Sequence, residues 1–298
     1  MRWGLMNLGM GPFTRPEWMA EAAMTAEKRG FNSLFVGEHF ASFDNYQSYD
    51  PYLYRPEGEL PMTSAADILD PFVTLTWLAA HTSTIRLGTG ILILPLHNPL
   101  AAAKQIASID QVSGGRVVFG AGLGWAREEY QAAGVPWERR WSRMDDYVAA
   151  MRRLWSTPVS TYHGEFTSFD QVYSYPKPTA SEDFPVFYGG NGDLTLRRVA
   201  RNGHGWIALN LRPEEASQKI KTIRAQAEEL GRDPQTIEMT MLTSNWPTYT
   251  ADDLKRFHEI GMHELIALGH PGPPVTKNNA AAWVNEVAAK TVDVLRSP

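Results

Sequence analysis

Eight short apolar runs of strand character alternate with helical segments along 298 residues, and no shift in composition divides them. Alternation of this kind predicts an α/β fold, and eight repeats in a chain of this length predict a single (β/α)8 TIM barrel over residues 1–298. Glycine-rich turns, His39, Asn7 and Asn210 all fall at the carboxyl ends of the expected strands, where barrels of this kind carry their sites. Two long insertions are expected, one after strand 2 and one before strand 5.

The first strand is expected over Trp3 to Leu8. Its apolar run breaks early and lacks a small-residue cleavage site, so it reads as a strand and not as a leader. A helix from about Arg15 to Arg29 follows, with Thr14 and Glu17 at capping-box spacing, Pro16 in the first turn and Gly30 as its stop. The second strand, Ser33 to Val36, leads into Gly37-Glu38-His39-Phe40. Residues 40–69 form the first insertion, rich in tyrosine and proline; connections longer than ~15 residues are often binding loops or lids, and a substrate cover is expected here. Asp70-Pro71 caps a helix to about His81.

The third strand runs from Ile85 to Gly90, followed by a bend from Ile91 to Asn98 and a helix opened by Pro99. The fourth, Arg116 to Gly120, runs into a Gly120-Ala-Gly-Leu-Gly-Trp125 turn, and a helix is expected from about Trp141 to Trp155. Residues 157–184, punctuated by prolines, read as an irregular second insertion. The fifth strand, Pro185 to Tyr188, ends in Gly189-Gly190-Asn191-Gly192 and feeds a helix through Arg201. Strand His204 to Leu209 precedes a helix from Pro213 in which Ala216, Ile220, Ile223, Ala227 and Leu230 share one face. Strand Thr236 to Leu242, a helix from about Thr250 to Ile260, strand Glu264 to Leu268 and a helix from about Asn279 to Leu295 complete the pattern.

Composition narrows the function. A net charge of -5 opposes an electrostatic nucleic-acid binder, and no apolar run reaches the ~18 residues of a membrane span. The absence of cysteine removes disulfides, thiolate nucleophiles and thiolate metal sites, and fits a cytoplasmic address. Serine-elbow, zincin and Walker motifs are missing, and His163 with Glu165 lacks a third metal ligand, so no metal site is expected. Arg139, Arg140, Arg143, Asp145 and Asp146 read as a solvated or salt-bridged helix face.

Three constellations remain. Gly120, Gly122 and Gly124 have the spacing G-x-G-x-G, not the G-x-G-x-x-G of dinucleotide folds, and the acidic pair downstream sits inside a helix. Glycines at the two neighbouring strand ends, Gly90 and Gly122 to Gly124, would let a flat ligand such as a flavin or deazaflavin lie against the backbone. Gly189 to Gly192 between a strand and a helix are either an anion site or a tight turn. His39 at a strand end is either a general acid/base or a satisfied structural residue.

The combined motifs resemble the luciferase-like monooxygenase family. They are Leu87-Gly-Thr-Gly-Ile-Leu-Ile-Leu-Pro-Leu-His-Asn-Pro99, Ile109-Asp-Gln-Val-Ser-Gly-Gly-Arg-Val117, Gly120-Ala-Gly-Leu-Gly-Trp125, Glu128-Glu129-Tyr130 and Phe184-Pro-Val-Phe-Tyr-Gly-Gly-Asn-Gly192, within a resemblance spanning about residues 3–210. The Leu-Gly-Thr-Gly and Gly-Leu-Gly-Trp-x-x-Glu-Glu variants look most like the branch that uses the deazaflavin coenzyme F420. The resemblance implies a cytoplasmic oxidoreductase moving a hydride between F420 and a small-molecule substrate, commonly as a homodimer. It implies a non-proline cis peptide at Gly90–Ile91 backing the ring, Gly122, Leu123 and Gly124 beside its polar chain, and Gly189, Gly190, Asn191 and Gly192 holding phosphate. Glu38 and His39 match the family's acidic-His pair, with His39 catalytic. The alternatives are an FMN-dependent monooxygenase fed by a separate flavin reductase, and a non-catalytic flavin-binding protein. Trp125 stands where some deazaflavin dehydrogenases place a carboxylate, and Glu38 where several have Asp, so their sugar-phosphate chemistry does not transfer.

Overall fold

The computed structural model describes residues 1–46, 66–269, 275–276 and 279–296. Eight parallel strands close into a barrel: β1 (Arg2–Met6), β2 (Ser33–Val36), β3 (Arg86–Thr89), β5 (Val117–Gly122), β8 (Val186–Gly189), β9 (Gly205–Leu209), β10 (Glu238–Thr243) and β11 (Glu264–Ala267). Closure comes from β1 against β11, with Leu5 opposite Ala267, and from β3 against β5, with Leu87 opposite Val117. Met6, Phe35, Val118, Phe187, Ile207, Leu242 and Ile266 fill the interior, so the barrel is packed and not a pore. A larger apolar cluster lies between the strands and the surrounding helices.

The helices are α1 (Pro16–Arg29), α2 (Pro71–His81), α3 (Pro99–Ser113), α4 (Arg127–Ala132), α5 (Arg140–Ser156), α6 (Asp193–Asn202), α7 (Pro213–Glu229), α8 (Ala251–Glu259), α9 (Ala280–Lys290) and α10 (Val292–Arg296). Local chemistry sets several ends as expected. Asp70 accepts from the Val73 N–H to cap α2, Asn98 accepts from Leu100 and Ala101 to cap α3, and Gly30 closes α1 with a left-handed φ of 82°. Arg116 donates to Ser113, Thr82, Ile85 and Ala79, tying the end of α3 to the end of α2.

Five expectations need correction. The Thr14–Glu17 capping box does not form: Arg15 is the N-cap, without a side-chain bond, and Thr14 Oγ1 instead donates to Gly11 O inside a single 3₁₀ turn, Gly11–Thr14. Strand β5 runs past its expected end at Gly120 and takes in Ala121 and Gly122, which read as part of a turn; Gly120 within it is small because a Cβ there would come within 2.1 Å of Thr89 O across the sheet. The bend after Gly90 holds a short strand, β4 (Leu92–Ile93), paired with Ala121 and Gly122, and a 3₁₀ turn over Leu94–Leu96. The second insertion is not irregular throughout: β6 (Ser160–His163) and β7 (Ser168–Val172) form an antiparallel hairpin. The last helix breaks at Thr291 into α9 and α10.

Most of the first insertion, and with it the expected cover, lies outside the described residues. Its returning end is pinned at the barrel mouth, where Gly11 N–H donates to Asp67 O (2.8 Å) and Leu69 N–H to Gly9 O (2.8 Å).

Candidate active site

A cavity of about 680 Å³ opens at the carboxyl ends of the strands. Its floor is apolar because Ile91, Leu209 and Leu268 lie on the barrel's interior cluster. Met10, Phe13 and Trp283 line one side, with Phe13 and Trp283 packed at a ring-centroid distance of 4.7 Å.

The bond from Gly90 to Ile91 is a cis peptide. Ile91 rests on two glycines: a Cβ at Gly122 would sit 2.6 Å from Ile91 Cδ1, and one at Gly189 2.4 Å from Ile91 Cγ2. The space beside these glycines, expected to receive a ligand, is filled by the isoleucine side chain, which becomes the half-buried surface facing the cavity. Gly122 itself does not line the cavity, whereas Leu123 and Gly124 do. Tyr130 donates to Leu123 O at 2.6 Å and fixes that turn; burial pushes its phenol far above the ordinary tyrosine range.

Gly189, Gly190 and Gly192 line the opposite side. Gly190 has φ +125° and Thr195 Oγ1 within 3.0 Å of any added Cβ, whereas a Cβ at Gly192 would meet nothing within 4 Å. Helical bonding in α6 starts at Gly192, whose carbonyl accepts from Thr195 and Leu196, so the preceding N–H groups have no partner within the helix. Asn191 does not line the cavity. Its side chain brackets Leu209, donating to the carbonyl at 2.7 Å and accepting from the N–H at 3.0 Å, while Lys219 Nζ donates to its carbonyl at 2.8 Å.

Glu38 and His39 leave the tip of β2 in different directions. The Ile93 N–H donates to Glu38 Oε2 at 2.5 Å, and His97 Nε2 lies 2.7 Å from Oε1, so this carboxylate holds the Ile91–His97 segment in place. His39 Nδ1 lies 3.1 Å from Oε2 of Glu129, the third residue of α4, whose side chain is 1% exposed. The His39 ring meets Trp125 edge-on at 5.7 Å and lines the cavity. The expected acidic-His pair is therefore two couples, Glu38–His97 and Glu129–His39.

Residues 7–289 match the luciferase-like monooxygenase family model. The chain belongs to this family. The match runs well past the region whose motifs carry the resemblance, and it makes the protein a luciferase-like flavin- or deazaflavin-dependent oxidoreductase. An uncharacterised protein of Mycobacterium tuberculosis is 33% identical over 290 residues, covering 96% of this chain and 98% of its own. The F420-dependent glucose-6-phosphate dehydrogenase of Intrasporangium calvum is 28% identical over 204 residues, 65% of this chain and 54% of its own. Among solved structures, an F420-dependent secondary alcohol dehydrogenase in complex with an F420-acetone adduct matches with TM-score 0.75 at 20% identity, covering 97% of this chain and 98% of its own, a likeness of fold.

Several residues of this luciferase-like site carry no role in the motif reading. Arg140, expected on a solvated or salt-bridged helix face, instead lines the cavity together with Trp141; the Arg140 guanidinium lies 3.6 Å from the Trp137 ring centroid, and burial lowers its pKa. Of the neighbouring acids, Asp145 is salt-bridged as expected, to Arg198 at 2.7 Å, whereas Asp146 instead caps the turn of the β6–β7 hairpin. Glu129 stands in a quoted motif, but its contact with His39 spans 90 positions and has no local sequence signal. Among the described residues, no cluster suited to a metal ion occurs and no helix is long and apolar enough to cross a membrane.

Proposed function

We propose that the protein is an F420-dependent oxidoreductase that moves a hydride between the deazaflavin and a small, largely apolar organic substrate. One observation carries this reading: the apolar cavity above the Ile91 ledge contains, among the described residues, a single imidazole, that of His39, a side chain that can both take up and release a proton. Glu38 is engaged by Ile93 and His97, and Asp67 is exposed at the rim.

The residues fit a flavin-type cofactor. Ile91, Leu209 and Leu268 offer an apolar floor to a flat ring, and the open space at Gly192, before the first turn of α6 with Lys219 nearby, suits its phosphate. When bound, a deazaflavin supplies a hydride-carrying carbon, and the protein needs only to orient the substrate, exclude water and exchange one proton through His39. The F420-dependent relative supports the deazaflavin, and the apolar side formed by Met10, Phe13 and Trp283 supports a substrate without charge. The family description favours a second reading, an FMN-dependent monooxygenase using the same cavity with a separate reductase.

Fluorescence titration with F420 and with FMN tests the choice. F420 is expected to bind at least roughly tenfold more tightly, a difference of about 1.4 kcal/mol. Tighter binding of FMN by that factor overturns the assignment in favour of the monooxygenase.

A further inference from the structure

We propose that Glu129 is a positioning residue that holds His39 as the Nδ1-protonated tautomer and so presents Nε2 to the cavity as the proton-exchanging atom. The proposal deepens the oxidoreductase reading and rests on it for its catalytic meaning. Its structural half stands on geometry.

Glu129 is buried, and both of its oxygens are engaged. Oε1 accepts from the Phe40 N–H at 2.6 Å and faces the Ala41 N–H at 3.5 Å, while Oε2 lies 3.1 Å from His39 Nδ1. A carboxylate offers only acceptors, so the proton in the bond to His39 belongs to Nδ1, and neutral imidazole then carries its lone pair on Nε2. Trp125 meets the same ring edge-on, which limits its rotation. Among the described residues no hydrogen-bond partner engages His39 Nε2. A proton taken up at Nε2 leaves the Nδ1–H bond to Glu129 unchanged, and the carboxylate stabilises the imidazolium until the proton departs from Nε2 again. The bonds to Phe40 and Ala41 also pin the chain where it leaves β2, so one carboxylate fixes both the ring and the backbone that carries it. The adjacent couple, Glu38 with His97, offers an internal reference, because its contact is made through Nε2 and involves neither Glu129 nor α4.

The test is long-range 1H–15N correlation spectroscopy on the full chain labelled with 15N-histidine, with His39 assigned from the signal missing in His39→Ala. The wild type is expected to show a protonated Nδ1 and an unprotonated Nε2 at His39. Glu129→Gln, whose amide can donate as well as accept, is expected to shift His39 toward the Nε2-protonated form while the His97 and His204 signals stay in place. A wild type already protonated at Nε2 overturns the proposal, as does an unchanged tautomer in folded Glu129→Gln. If that variant does not fold, the wild-type spectrum decides alone. With bound cofactor and a turned-over substrate, Glu129→Gln should lower kcat by roughly 100-fold, change the pH profile, and leave KM within roughly threefold. Failure of both F420 and FMN to support turnover would remove the oxidoreductase reading without altering the tautomer result.

Discussion

At the scale of single residues, the glycines of this site separate into two physical roles that look alike in sequence. Gly122 and Gly189 are small so that Ile91 can seat its side chain between strand ends, whereas Gly192 leaves open space toward the cavity. The phosphate reading is therefore tested at Gly192 and not at Gly190, where φ +125° strains any L side chain and a substitution would report on folding. Gly192 has φ -81° and ψ 155°, a conformation valine accepts, at an N-cap position where losing glycine costs about 1 kcal/mol at most. Gly192→Val is expected to weaken binding of the phosphorylated cofactor by roughly tenfold or more while leaving its dephosphorylated counterpart within roughly twofold, read by fluorescence titration. Equal weakening of the two forms would mean that the open space does not receive phosphate.

At the scale of elements, the order of strands and helices was legible because each depends on local signals: apolar runs for the strands, Asp70-Pro71 and Asn98-Pro99 for helix starts, and Gly30 for a helix stop. Elements decided by distant contacts were not legible. Ala121 and Gly122 look like turn residues, yet they pair with Leu92 and Ile93 of β4, and strand pairing overrides propensity. The β6–β7 hairpin hides because its strands are largely exposed, with Ser160 and Phe169 the buried positions among polar neighbours, and because its pairing shifts between Ser160 and Tyr162. The His39–Glu129 couple joins β2 to α4 across the barrel mouth, beyond any local pattern. What holds the hairpin is Asp146 of α5, which accepts from the Tyr162 hydroxyl (2.8 Å) and from the N–H groups of Phe166 (2.9 Å) and Thr167 (3.0 Å). Asp146→Ala should cost about 2 kcal/mol, given net hydrogen-bond values near 1 kcal/mol with partial replacement by water. Hydrogen exchange over residues 160–172 should then accelerate while the barrel strands keep their protection. Unchanged exchange in the hairpin would show that Asp146 does not hold it.

At the scale of the whole molecule, the two barrel ends divide the work: the carboxyl end carries the cavity and the amino end carries polar closure. There Arg86 bonds Glu238 at 2.8 Å and Arg2 bonds it at 2.6 Å, around the buried Glu264. The same device then appears twice. His204, just before β9, accepts the Val186 N–H on Nδ1 at 3.2 Å, and His263, just before β11, accepts the Met239 N–H at 2.9 Å, so each imidazole must be neutral to join its strand to the one before it. Burial, followed by the charges of Arg152 and Arg232, pushes His204 down to about 4, and burial likewise lowers His263. Below the ordinary value of 6.5 the unfolded chain binds protons that the folded chain refuses until His204 titrates near about 4, so stability falls on acidification through that window and is fully present above it. Glu238 acts in the same direction lower down: burial opposes its charge, but the bonds and charges of Arg86 and Arg2 win and lower its pKa, so its contribution is lost as pH falls below the ordinary 4.5. Glu264 opposes both, since burial raises its pKa and protonation relieves the cost of its charge. The histidines can be isolated by replacing both with asparagine, which keeps an acceptor near the Nδ1 position and does not titrate. Between about pH 7 and about pH 5 the wild-type Tm should fall distinctly more than that of His204→Asn/His263→Asn, whatever the difference in their absolute values. Parallel Tm curves over this interval would show that the acid sensitivity of the barrel does not lie in its two strand-joining histidines.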